Sequence, residues 1–271
     1  MIKAKKEFGQ NFLKDGAVLE KIIQSIPKKV ENLVEIGAGL GDLTKFLVKI
    51  CKTTSYEIDK DLIEKLKKDF ANEIKLNRFN LINCDVLKAW DKNLQEEKYF
   101  LCANLPYNIA TKIILKAFDD ENCDGILVMT QKEVALKFTA KPKNSNFSSL
   151  SIIASLFGEA KILFDVAPTS FVPEPKVNSS VFILEKNRNL IQNFSDFGEY
   201  LKFKDFLRTC FTSPRKTLFK NLSAKFDKEI LNNIDKKIRP HESDCLFYIE
   251  IFKSIKAKNE RRNKCEQQQK A

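Results

Sequence analysis

Apolar residues along this chain follow two alternating rhythms. Short runs rich in β-branched and aromatic residues, at 33–37, 53–58, 79–84, 99–103, 126–130, 162–166 and 181–184, predict strands. Between them, residues 43–50, 62–70, 109–118, 132–138 and 150–157 repeat their apolar positions every three or four residues and predict helices. Such alternation implies parallel βαβ units with right-handed crossovers, hence an α/β fold with a doubly wound sheet. Only a proline-rich stretch, 168–175, separates the last two strands, which fits an antiparallel pair at the sheet edge.

The rhythm changes after Glu185. Residues 187–196 are polar and linker-like, and from Phe203 onward only helical patterns appear, at 206–211, 217–226 and 245–255. Three parts are therefore expected: a catalytic domain over 1–186, a basic helical domain over 187–255, and a disordered tail over 256–271. Charge supports the division. The chain carries a net +11, yet residues 186–271 alone hold 20 Lys and Arg against 11 Asp and Glu. A basic surface of that kind suits a polyanion, because counterions released from phosphates drive association. Arg208, Arg215, Lys216, Lys220 and Arg239 are the candidate phosphate contacts.

Several classes are disfavoured. No run reaches the ~18–20 apolar residues of a membrane span, and the basic start has no apolar stretch behind it, so a cytoplasmic protein is expected. The seven cysteines form no CxxC pair and read as reduced thiols. His241 is the one histidine, which leaves little room for a histidine-based metal site or a Ser-His-Asp triad.

The segment Glu35-Ile36-Gly37-Ala38-Gly39-Leu40-Gly41-Asp42 ends a predicted strand and opens a predicted helix. Glycines there admit positive φ and close approach of a ligand, and the helix start offers free N–H groups. Glu57 follows Gly37 by 20 residues at the end of the next strand, where a carboxylate can accept ribose hydroxyls. Asp85 closes the strand after that and can accept from an adenine amine. In order and register, the set predicts an adenosine-type cofactor. A nicotinamide enzyme is the rival, against which the GxGxG spacing counts.

The strand at 99–103 runs into Asn104-Leu105-Pro106-Tyr107. Proline fixes φ and removes a donor, leaving neighbouring carbonyls aimed at the pocket. The Asn104 amide oxygen and the Leu105 carbonyl can accept from an exocyclic amine, and Tyr107 offers a face for a base to stack on.

With Phe8-Gly9-Gln10-Asn11-Phe12-Leu13, Gln131-Lys132-Glu133-Val134-Ala135 and Phe171-Val172-Pro173-Glu174-Pro175-Lys176-Val177, these segments resemble the bacterial small-subunit rRNA adenine dimethyltransferases over roughly residues 6–255. The resemblance implies a Rossmann-like class I methyltransferase sheet with a small all-helical C-terminal domain. It implies S-adenosyl-L-methionine as cofactor, held by Asn11, Leu13, Gly37, Glu57, Asp85 and Asn104. Asn104, Leu105, Pro106 and Tyr107 then form the catalytic turn, with Phe171 packing on the flipped base opposite the tyrosine. The implied substrate is two adjacent adenosines near the 3′ end of 16S rRNA in the 30S subunit, for a monomer needing neither metal nor membrane. A large-subunit 23S rRNA adenine methyltransferase, a DNA adenine methylase and a mainly non-catalytic 30S assembly factor remain alternatives. Where an arginine for RNA contact is expected, this chain has Phe147-Ser148-Ser149-Leu150-Ser151.

Overall fold

A computed structural model describes residues 4–187, 189–232 and 234–268. The chain forms two compact units. One joins Met1–Ala135 with Glu159–Lys186, and the other joins Leu136–Gly158 with Asn187–Ala271.

Among the described residues the first unit contains nine strands: β1 (Phe12–Leu13), β2 (Asn32–Ile36), β3 (Lys52–Glu57), β4 (Phe79–Asn83), β5 (Tyr99–Asn104), β6 (Cys123–Gln131), β7 (Lys161–Val166), β8 (Phe171–Val172) and β9 (Ser179–Glu185). Seven of them form one sheet in the order β4-β3-β2-β5-β6-β9-β7. Pairing is parallel from β4 through β6 and antiparallel where β9 meets β6 and β7. The edge expected to be antiparallel is so, with β9 inserted between β6 and β7. Strand order reverses between β2 and β5, which opens a crevice beyond their carboxyl ends.

Helices α1 (Gly16–Gln24), α2 (Thr44–Ile50), α3 (Lys60–Asp69), α4 (Ala71–Lys75), α5 (Val86–Ala89) and α6 (Ala110–Asp119) accompany the sheet. Leu33, Leu47, Phe100, Leu127 and Val181 belong to one buried cluster, and Val48, Leu66, Phe70 and Phe79 belong to another. Central strands of a sheet covered on both sides read as continuous apolar runs, and this is why the sequence pattern located β2, β5, β6 and β9. Two elements go beyond the predicted ones. They are α1, capped by Asp15 accepting from Ala17 N at 3.0 Å, and the separate β1–β8 pair, with Leu13 opposite Phe171.

Helix α7 (Lys132–Thr139) follows β6. The second unit contains α8 (Ser149–Phe157), α9 (Phe197–Cys210), α10 (Leu218–Leu222) and α11 (Cys245–Gln268). Its core is aromatic: Phe203 lies 4.9 Å from Phe194 and 5.4 Å from Phe252, centroid to centroid. Residues 136–158, expected within the catalytic domain, group with this unit instead. Phe147 lies tilted against Phe211 with ring centroids 6.3 Å apart and Phe157 meets Tyr200 edge-on at 5.9 Å, contacts that the local helical pattern does not announce. The tail also departs from expectation, because α11 stays helical through residue 268. No glycine or proline interrupts it, and Lys, Glu, Arg and Gln are good helix formers. Residues 269–271 lie outside the described residues.

Candidate active site

Beyond Ile36 the backbone turns through Gly37, Gly39 and Gly41, all at positive φ (76°, 59° and 85°), a region that only glycine enters freely. A Cβ on Gly39 would stand 3.1 Å from the Phe12 ring, so bare backbone is what lets the loop lie flush with β1. This loop, the N-terminal segment and the ends of β3 and β5 enclose one cleft. Asn11, Leu13, Gly37, Glu57, Asp85, Asn104, Leu105, Pro106 and Tyr107 all line it. The sequence motifs, up to 96 positions apart, thus meet around one space.

Glu57 is 4% exposed. Its Oε1 accepts from Ile58 N and Asp59 N, each at 2.9 Å, and its Oε2 accepts from Gly39 N at 3.0 Å. A carboxylate has about four lone-pair sites, so among the described residues one, on Oε2, is left for a ligand donor. Burial makes Glu57 hold its proton more tightly than usual, against the pull of the three backbone donors. Asp85 has two tasks. Its Oδ1 caps α5 by accepting from Leu87 N at 3.1 Å, while Oδ2 lies 3.7 Å from Lys88 Nζ.

One buried acid escaped the sequence reading. Glu35, 2% exposed, lines the cleft beneath the glycine loop. Its Oε2 accepts from Thr44 Oγ1 at 2.7 Å and Ser55 Oγ at 2.6 Å. Burial pushes its pKa up to about 7. A charged residue inside the apolar run Leu33–Ile36 was the signal available.

The N-terminal segment is tied along the cleft by polar contacts. Lys5 Nζ bridges Asp59 and Asp61 at 2.6 and 2.8 Å, Gln10 Nε2 donates to Asp59 at 3.0 Å, and Lys14 pairs with Asp42. Asn11 contributes its backbone: the Asn104 Nδ2 donates to the Asn11 carbonyl at 3.1 Å. That bond turns Asn104 Oδ1 into an available acceptor in the cleft wall.

The turn after β5 is pinned by Leu105 N donating to Met129 O at 3.0 Å and Ile109 N donating to Pro106 O at 3.1 Å. Tyr107 is half-buried, with its phenol 2.6 Å from Ser179 Oγ. Phe171 is placed elsewhere than expected. It is 1% exposed and does not line the cleft. Opposite Leu13 in the β1–β8 pair, it turns inward with Val166 and Val181, so it offers no face to a base.

The model of the family described as ribosomal RNA adenine dimethylase matches residues 1–251. The chain belongs to that family. It is an enzyme that transfers methyl groups from S-adenosyl-L-methionine to adenine of ribosomal RNA. It is 54% identical, over 98% of its own length and 99% of the relative's, to the ribosomal RNA small subunit methyltransferase A of Campylobacter concisus. Among solved structures, a dimethyladenosine transferase from Plasmodium falciparum superposes with a TM-score of 0.74 at 25% identity, over 89% of this chain and 95% of that one. The 23S rRNA methyltransferase ErmE superposes with a TM-score of 0.67 at 20% identity, over 91% and 100%. The fold is thus the Rossmann-like methyltransferase sheet. Among the described residues no helix is long and apolar enough to cross a membrane.

Proposed function

We propose that this enzyme dimethylates the N6 amines of two adjacent adenosines near the 3′ end of 16S rRNA, acting as a cytoplasmic monomer on the 30S subunit. The orientation of the Asn104 amide carries the reading. Asn104 lines the cleft that also contains Glu57, and with Nδ2 donating to the Asn11 carbonyl its Oδ1 is the atom left to accept from a target amine. The choice of subunit is supported by the relative named for the small subunit, matched at 54% identity along nearly its whole length.

The residues fit S-adenosyl-L-methionine. Positive-φ glycines bring bare backbone to the cleft wall, and Glu57 keeps one acceptor site for a ribose hydroxyl. Asp85 Oδ2 suits the adenine amine, while Asn11, Leu13, Gly37 and Asn104 complete the contacts. When bound, this cofactor supplies a methyl group already activated on a sulfonium. The protein's part is therefore position and electrostatics.

Asn104 Oδ1 and the Leu105 carbonyl accept the two N–H groups of the target amine, drawing the nitrogen lone pair out of conjugation and toward the methyl donor. Pro106 adds no competing N–H. Tyr107 stacks on the extruded base, a contact worth ~1–3 kcal/mol. After one transfer the amine retains one N–H, which one of the two acceptors still holds for the second; the proton displaced each time passes to water.

Mass mapping of 16S rRNA from cells with and without this protein tests the proposal. Two dimethyladenosines near the 3′ end should vanish without it and return on complementation. An unchanged 16S pattern, or a change confined to 23S rRNA, contradicts it.

A further inference from the structure

We infer that Ser179 is a positioning residue for methyl transfer, its hydroxyl fixing the plane of the Tyr107 ring against which the target base stacks. The inference rests on the function proposed above and adds a residue to it. Tyr107 stands in the turn after β5, and Ser179 opens β9, 72 positions along the chain. Their oxygens are 2.6 Å apart.

Ser179 is a fixed point. It is fully buried and paired on both sides, opposite Gln131 of β6 and Val166 of β7. A tyrosine ring has two side-chain torsions. Anchored at Cα by the turn and at Oη by Ser179, the direction of its long axis is set. A phenol hydrogen-bonds near its own ring plane, so the same contact also sets the rotation about that axis. Burial holds the phenol in its protonated form, so the contact joins two neutral hydroxyls.

The contact is not needed to hold the turn. Leu105 N to Met129 O and Pro106 O to Ile109 N already pin the backbone on both sides of Tyr107. What the hydroxyl pair adds is ring orientation. This also gives a role to the segment 172–177 after Phe171: it ends two residues before the hydroxyl and leads the chain from the β1–β8 pair back into the sheet.

The test compares wild type, Ser179→Ala, Tyr107→Phe and the double variant as purified full-length proteins, with unmethylated small ribosomal subunits as substrate. Rates are normalised to S-adenosyl-L-methionine binding stoichiometry, and Tm and cofactor Kd are measured alongside. Each single change should lower kcat roughly three- to tenfold, the range of one neutral hydrogen bond, with cofactor Kd unchanged. The double variant should be no worse than either single one, because both remove the same contact. Tyr107→Phe keeps the ring and reads the effect even if Ser179→Ala folds poorly. Wild-type kcat in either single variant, or losses that multiply in the double variant, overturns the inference. So does a fall in Tm with kcat per binding site unchanged. A wild type inactive on these particles would instead contradict the proposed function.

Discussion

Glu57 shows how much one side chain does at this site. Three backbone donors hold its carboxylate while a single acceptor position remains toward the cleft. Losing a hydrogen bond to a charged group costs about 1.5–3 kcal/mol. Glu57→Ala should therefore raise the cofactor KM roughly 10- to 100-fold, with Glu57→Gln milder because it keeps an acceptor; an unchanged KM, measured in methyl-transfer assays, would reassign the residue. That Glu57, Asp85 and Asn104 would line one cleft was legible because each stands at or just beyond the carboxyl end of a strand, where such a sheet opens its crevice. Phe171 was not. An aromatic in a proline-rich loop carries no mark of which face it presents, and here its pairing opposite Leu13 turned it into the core. Ser179 was invisible for another reason: a lone serine gains meaning only when the fold brings Tyr107 to it.

At the scale of elements, Glu35 fastens β2 to Ser55 on β3 and to Thr44 at the start of α2. Its pKa rises from 4.5 to about 7 on folding. The folded state then binds the proton more tightly than the unfolded chain, so the stability linked to this group is full below pH 4.5 and is lost as pH rises through about 7. Glu35→Gln keeps an acceptor for both hydroxyls and removes the titration. Its Tm should fall less than the wild type's between pH 5 and 8 (roughly that range follows from the shift). Parallel Tm profiles would contradict the assignment. The central strands β2, β5, β6 and β9 were legible because burial on two sides makes their sequences largely apolar, whereas β3 was legible from its β-branched and aromatic Thr53, Thr54 and Tyr56. β1 and β8, two residues each, are too short for any period to register.

For the whole molecule, the surplus of positive charge in residues 186–271 is the feature that bears on a polyanionic partner. Arg208, Arg215, Lys216, Lys220 and Arg239 are all exposed, and Arg208 is engaged with Asp205 at 2.7 Å. Binding to small ribosomal subunits should weaken steeply with salt, and each phosphate contact removed by an alanine among Arg215, Lys216 and Lys220 should flatten the log–log slope by about 0.7–0.9. A flat profile for the wild type would deny the basic unit a docking role. Where the units divide was only half legible. The break at residue 186 follows composition, whereas the assignment of 136–158 depends on Phe147 and Phe157 finding Phe211 and Tyr200 far along the chain.

The proposed reaction turns on the Asn104 amide oxygen accepting from a purine amine, and single-turnover methyl transfer by Asn104→Ala addresses it most directly. The variant should bind small ribosomal subunits with wild-type affinity yet transfer methyl groups about 100- to 1,000-fold more slowly, the usual cost of removing one preorganised polar partner at the reacting centre. Transfer at a rate near wild type would contradict the account.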